Sequence, residues 1–411
     1  MPWGGVACPT SANEGDSIVK YCCKAGARPR RGPLRPYRGA AVLKLFKEPM
    51  RILILWASLD QPNLGVRALA VGTRAVAAQV FPDAEIQVQG TGRGDAPTSL
   101  FLSRRGLLKE RITGANGLFD WLASFDLVLD TRSGDSFADI YGLERLRNMS
   151  RFPEILHRLG VPLVLTPQTI GPFNTRRGTR LARRALNHAR LVASRDARSA
   201  ACAAQLGRPV DVESTDVVFA IAHQPVPETR DVILNVSGLL WGDNPHVDAA
   251  RYRRDVLRLA RRLQAEGRTL TLLAHVVGPD AAAGDNDRYP LADLRRELGD
   301  VEVIVPQGRD ALEQVRDVVG SARLVLGSRM HACLNALSMG TPAIPLAYSR
   351  KFAPLLAGIG WQHVVELQGD DVVERALAAI GSPQLQEDVS EVRRRADRDL
   401  ARFTDALGEL L

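Results

Sequence analysis

From residue 51 onward, short runs of β-branched and leucine residues alternate with Ala/Leu/Arg stretches of helical period. That alternation constrains the fold more than any other feature of the chain. The first run, Arg51-Ile-Leu-Ile-Leu-Trp-Ala57, predicts a strand, and similar runs predict strands near 84–89, 126–130, 162–166 and 190–194. Helices are expected over 67–80, 143–160, 177–189 and 197–206. The rhythm restarts at Asp231, with strands near 231–236, 269–275, 301–305, 322–327 and 343–346 and helices near 247–266, 310–319, 331–339 and 371–380. A last helix, at about 386–408, is expected to pack back across the body. Between the two series, residues 222–230 are polar, carry two prolines and read as a linker. The fold class is therefore α/β, two Rossmann-like domains facing a cleft, one over 50–222 and the other over 231–411.

The formal charge is +8, which by itself suggests a polyanionic partner. Its distribution removes that suggestion. Residues 1–49 hold nine basic and three acidic side chains, so six of the eight units lie there and the remaining chain carries +2. This stretch is rich in Pro and Gly, lacks the apolar centre of a signal peptide, and contains Cys8, Cys22 and Cys23. It is expected to be a disordered basic leader, with translation beginning at Met50. No nucleic-acid partner is expected. No run approaches the roughly 18 apolar residues of a membrane span. Without an export signal, Cys202 and Cys333 are expected to be free thiols in a reducing cytoplasm. Arg outnumbers Lys 48 to 6, so Lys351, one of two lysines beyond residue 49, stands out.

In open α/β sheets ligands sit beyond the carboxyl ends of the strands, so the residues just after each strand carry the search for chemistry. After the first strand, Asn63-Leu-Gly65 offers a turn with exposed amides, or an ordinary loop. Strand 126–130 leads into a segment holding Gly134, Asp135, Ser136 and Asp139, read either as site carboxylates or as turn and N-cap chemistry. Arg195, at the end of strand 190–194, can grip a carboxylate or phosphate as a fork, or pair locally with Asp196. The sharpest group is Gly327-Ser-Arg-Met-His331 at the start of a helix, with Lys351 twenty residues on. An anion there meets free amides, the positive end of the helix, a guanidinium and an imidazole. His275 with Asp285, Asn286 and Asp287 matches no recognised ligand spacing, so no metal site is expected.

Taken in order, Asn63-x-Gly65, Ser133-Gly-Asp-Ser-Phe-x-Asp139-x-Tyr-Gly142, Gln168-Thr-Ile-Gly-Pro172, Ser194-Arg-Asp-x-x-Ser199, Thr215-Asp216, His275, Ser328-Arg-Met-His331, Tyr348 and Lys351 resemble the polysaccharide pyruvyl transferase family over about 51–360. The resemblance implies a fold similar to the GT-B glycosyltransferases. It also implies transfer of the enolpyruvyl skeleton of phosphoenolpyruvate to a sugar as a ketal, with release of phosphate and no cofactor. The partners implied are this small-molecule donor and a glycan acceptor, and the donor contacts implied are Arg195, Arg329, His331 and Lys351, with Asn63 and Gly65 at the first turn. Two departures fall in the N-terminal half, where acceptor recognition is expected. Gly65 is followed by Val66-Arg67 instead of the family's Gly-Asp-Glu, and the glycine-rich turn is reduced to Arg132-Ser133-Gly134.

The chemistry needs fixed cations for a doubly anionic donor, an acid for its methylene carbon and a base for the sugar hydroxyl. His331 is expected as the general acid or the partner of the departing phosphate, and Asp135 or Asp139 as the base. A GT-B transferase using a nucleotide-sugar, or a non-catalytic binding protein, are the competing readings.

Overall fold

The apolar runs form two separate six-stranded sheets in which every pairing is parallel. In the computed structural model, which describes residues 49–410 except 93 and 279–283, the first sheet comprises β1 (Arg51–Leu55), β2 (Glu85–Gln89), β3 (Leu127–Asp130), β4 (Leu163–Gln168), β5 (Leu191–Ser194) and β6 (Val212–Glu213). Their order is β2-β1-β3-β4-β5-β6. The second sheet comprises β7 (Arg230–Asn235), β8 (Leu270–Leu273), β9 (Glu302–Ile304), β10 (Ala322–Gly327), β11 (Ala343–Ala347) and β12 (Val365–Glu366), in the order β12-β11-β10-β7-β8-β9. The central strands are buried on both faces, which is why they read as unbroken apolar runs. The expected leader and its three cysteines lie outside the described residues, apart from residue 49.

The predicted elements appear with small shifts at their ends. The single helix expected over 143–160 is two, Leu143–Met149 and Phe152–Leu159, because Pro153 lacks the amide needed to continue the first and suits the opening turn of the second. Helices Arg104–Thr113, Leu118–Ala123, Arg288–Leu298 and Phe352–Gly358 were not foreseen, and β6 and β12 are two residues each, too short to leave a periodic signal.

Three features among the described residues help to join the two halves. An antiparallel bridge pairs Asn63 with Val276, so Leu64 N donates to His275 O at 3.1 Å and Val277 N to Pro62 O at 2.9 Å. Helix Leu64–Val80 sends Leu64 and Ala68 into the core of the second half and Ala70, Val76 and Ala77 into that of the first. Helix Leu385–Gly408 does the reverse: Leu385, Val389, Val392, Ala396 and Leu400 pack with the second half, while Phe403 and Leu407 pack beside Ile52 and Ile54. The second region therefore ends on the first sheet. The described residues behave as one compact unit. No helix among the described residues is long and apolar enough to cross a membrane.

Candidate active site

A cavity of about 330 Å³ lies between the halves and draws residues from the carboxyl ends of strands in both sheets. From the first half come Asn63, Gly65, Ser133, Asp135, Ser136, Tyr141, Arg145 and Arg195; from the second come Asp285, Arg329, His331, Tyr348 and Lys351. A larger cavity of about 710 Å³ runs along edge strand β2, but it contains none of the predicted site residues. Charge and chemistry, not volume, single out the smaller one.

The backbone around it is held in unusual conformations. Trp56, Arg132 and Ser133, after β1 and β3, all have φ between 46° and 65°. Each such residue costs on the order of 1–3 kcal/mol, which the surroundings must offset. Ser133 Oγ donates to Trp56 O at 2.8 Å, Thr131 Oγ1 to Leu55 O at 2.9 Å, and the buried Arg132 side chain pairs with Asp130 at 2.9 Å. These bonds fix the loop that presents Ser133 and Asp135.

Two helices begin at the cavity. Asn63 caps helix Leu64–Val80, its Oδ1 accepting from Gly65 N at 2.9 Å. Facing it, helix Met330–Ser338 starts immediately after Arg329, whose amide donates to Asn235 Oδ1 at the end of β7 at 3.0 Å. The two starts touch: a β-carbon on Gly65 would lie 2.7 Å from His331 Nδ1, so only glycine admits the imidazole there.

Each predicted cation has a carboxylate partner. Arg329 places Nη2 2.6 Å from Asp287 Oδ1 and Nη1 2.7 Å from Asp285 Oδ1. Asp287 is buried and also accepts amides from Gly238, His275 and Val276. Burial opposes the charge of Arg329, yet the two aspartates hold its pKa above the usual range. Lys351 Nζ and Tyr141 Oη both donate to Asp135 Oδ2 at 3.0 Å. Burial acts against ionisation of Asp135, but Lys351 and Arg195 outweigh it and pull its pKa down to about 2. Lys351, in return, is held above the ordinary lysine range despite its own burial.

Arg195 is buried and donates to Asp216 Oδ2 at 2.6 Å and to Thr169 Oγ1 at 3.1 Å. The same Asp216 oxygen lies 3.4 Å from His331 Nε2. Behind His331 sits His275, fully buried, its Nε2 unpaired among the described residues. Burial first, then the nearby His331 and Arg329, keep it neutral by lowering its pKa well below 6.5.

The structure thus brings together Asn63, Gly65, Asp135, Arg195, Arg329, His331 and Lys351. It does not bring Asp139, which corrects the expectation of a second site carboxylate. Asp139 accepts from the amides of Asn174 and Thr175 at 2.9 and 2.7 Å and from Thr175 Oγ1 at 2.8 Å, so its oxygens serve the start of helix Arg176–His188. Asp135 reaches the cavity, but a carboxylate held at about 2 is a weak base. The local Arg195–Asp196 pair is also replaced, because Asp196 caps the next helix through Ser199 while Arg195 reaches Asp216. Asp216 and Tyr141, both inside the pattern that carries the family resemblance, and Arg145, outside it, join or line the site without having been expected site residues.

Comparison with solved structures places the fold. A putative UDP-N-acetylglucosamine 2-epimerase from Listeria monocytogenes aligns over 88% of this chain and 98% of its own, with 12% identity and a TM-score of 0.51. A UDP-bound MnaA from S. aureus aligns over the same shares with 11% identity and a TM-score of 0.50. At such identities the likeness concerns the fold alone, the GT-B-like pair of Rossmann-like halves. The chemistry is carried by the residues on the cavity, and the sequence model of polysaccharide pyruvyl transferases matches residues 63–350, a span that begins at the Asn63 turn and ends beside Lys351. By that match over more than half its length, with the strand-end residues meeting at one cavity, the chain belongs to the polysaccharide pyruvyl transferase family.

Proposed function

We propose that the cavity binds phosphoenolpyruvate and that the protein transfers its three-carbon skeleton to two hydroxyls of a glycan sugar as a ketal, releasing phosphate. The observation that supports this reading is the meeting of Arg195, Arg329, Lys351 and His331 on one small cavity. The donor carries about three negative charges near neutral pH, one on its carboxylate and up to two on its phosphate. Three fixed cations match it.

Without donor, the cations face carboxylates of the protein. Donor oxygens take the open positions beside Arg329 and Lys351, while buried Asp216, fixed by the Val218 amide at 3.0 Å, stays with Arg195 and His331. Protonated His331 gives its proton to the methylene carbon, which makes the adjacent carbon electrophilic. A sugar hydroxyl bonds to that carbon and its proton returns to His331. The bond to the phosphate oxygen then breaks, the second hydroxyl takes its place, and its proton leaves on the phosphate. One hydroxyl proton so ends on the new methyl group and the other on phosphate, with charge conserved. Asp216 stabilises the imidazolium, and Arg329 and Lys351 offset the charge on the leaving phosphate. Asp135 acts by orienting Lys351, not as the base.

The test is phosphate release from the full-length protein mixed with phosphoenolpyruvate and a panel of sugar acceptors. His331→Ala is expected to abolish release while the circular dichroism spectrum is kept. Phosphoenolpyruvate should raise Tm and uridine diphosphate should not. Stabilisation by uridine diphosphate alone would favour a nucleotide-sugar transferase. Stabilisation by phosphoenolpyruvate without turnover across the panel would favour a binding protein.

A further inference from the structure

Four cations stand on the cavity wall, and the donor accounts for three. Arg195, Arg329 and Lys351 are neutralised by Asp216, by Asp285 with Asp287, and by Asp135. The fourth, Arg145, differs. Its Nη2 donates to Ser136 Oγ at 2.8 Å, and among the described residues it has no carboxylate partner. It lies on helix Leu143–Met149 of the first half, on the exposed side of the cavity.

The adjoining segment is unusual in a second, independent way. Ile140 and Tyr141 are 48% and 47% exposed, large side chains left open to solvent, and Tyr141 lines the cavity. Tyr141 is held by its hydroxyl, which donates to Asp135 at 3.0 Å, so the ring is a fixed surface and not a mobile one. A pyranose has an apolar C–H face and a hydroxylated edge. An aromatic ring suits the first, and a guanidinium beside a serine hydroxyl suits the second.

We infer that Ser136, Tyr141 and Arg145 form the acceptor subsite, and that the acceptor is a sugar bearing an anionic group, a carboxylate or a phosphate ester. This rests on the donor reading above, because it is the match of donor charge to the other three cations that leaves the Arg145 fork free. A guanidinium pairs with either group in bidentate fashion, whereas a neutral sugar leaves its charge uncompensated at the rim. The subsite shares its wall with the donor residues, so an acceptor seated on it brings hydroxyls to the same cavity.

The experiment is a glycan array of matched neutral, uronate-bearing and phosphate-bearing sugars, probed with full-length protein in phosphoenolpyruvate. The wild type is expected to be retained about tenfold better by charged members than by their neutral counterparts, the size of effect usual for one charge-assisted pair. Arg145→Gln should erase that ratio, Arg145→Lys should keep part of it, and Tyr141→Ala should lose retention of all members. Whether uronates or phosphate esters are held identifies the group. Equal retention of neutral and charged sugars, no retention of any, or a ratio unchanged by Arg145→Gln would each overturn the inference. Calorimetry with phosphoenolpyruvate on the same preparations separates the two readings. Failure of the wild type to bind it breaks the donor assignment while the array still reports on the rim. Loss of donor affinity in Arg145→Gln, with array selectivity intact, would move Arg145 to the donor and end the inference.

Discussion

His331 Nε2 lies 3.4 Å from Asp216 Oδ2, an oxygen that also accepts from Arg195 at 2.6 Å. One buried carboxylate so joins the proposed acid to a proposed donor contact. Burial alone would raise the pKa of Asp216, but His331 and Arg195 hold it well below the usual carboxylate range, and it stays ionised at neutral pH. Asp216→Asn keeps the shape and removes the charge. The expected result is a fall in kcat of about a hundredfold or more. Leaving Arg195 buried without its direct counter-ion should cost stability as well, on the order of 3–5 kcal/mol. An unchanged kcat in a folded variant would take Asp216 out of the chemistry.

Of the two aspartates on Arg329, only one is free to yield. Asp287 is buried and tied to three amides, whereas Asp285 is 52% exposed and competes with any incoming anion for the same guanidinium. Asp285→Asn is therefore expected to tighten phosphoenolpyruvate binding by about three- to tenfold, the scale of one partly exposed ion pair. Isothermal calorimetry at fixed ionic strength reads this directly. Weaker binding would mean that Asp285 orders Arg329 for the donor instead of occupying its place.

The parallel-sheet pattern and the strand-end residues were legible because burial on both faces writes itself as an apolar run, and parallel topology gathers the residues after each run at one edge of the sheet. Partnerships across the fold were not. Asp139 looks like site equipment in sequence, yet its oxygens go to amides 35 and 36 residues away, a distant cap that no local pattern encodes. Asp285 and Asp287 match no ligand spacing in sequence, and what they hold is Arg329, at the start of a distant helix. Arg145 could not be distinguished in a chain with 48 arginines, since its lack of a counter-ion is a property of the folded surroundings.

The Lys351–Asp135 pair makes stability depend on acid in a defined window. Asp135 has its pKa lowered from 3.8 to about 2, against the effect of its burial, so its contribution is complete above about 4 and is lost as pH falls towards about 2. A displacement of that size corresponds to about 2 kcal/mol. Lys351 is displaced upward, so at the other end the pair persists until the solution is strongly alkaline. Urea unfolding of the wild type and Asp135→Asn should show a stability difference that is flat from pH 5 to 8, in the range where neither group titrates. Below about 4 the difference should shrink. A difference that does not change with pH would mean that Lys351 is not held by this carboxylate.

Gly65 separates the acid from the helix that supports it. A β-carbon there would lie 2.7 Å from His331 Nδ1, 2.9 Å from its Cγ and 3.0 Å from Asn63 Oδ1, closer than packing allows. Alanine is otherwise the better helix former by about 1 kcal/mol, so Gly65→Ala should change global stability little. The strain is relieved by the imidazole turning away from Asp216, and a displacement of about 1 Å at the acid costs on the order of a hundredfold in turnover. Gly65→Ala should therefore keep a Tm close to that of the wild type and retain phosphoenolpyruvate binding through Arg329 and Lys351, while kcat for phosphate release falls steeply. A kcat close to that of the wild type would show that the position of His331 against this helix is not what the reaction depends on.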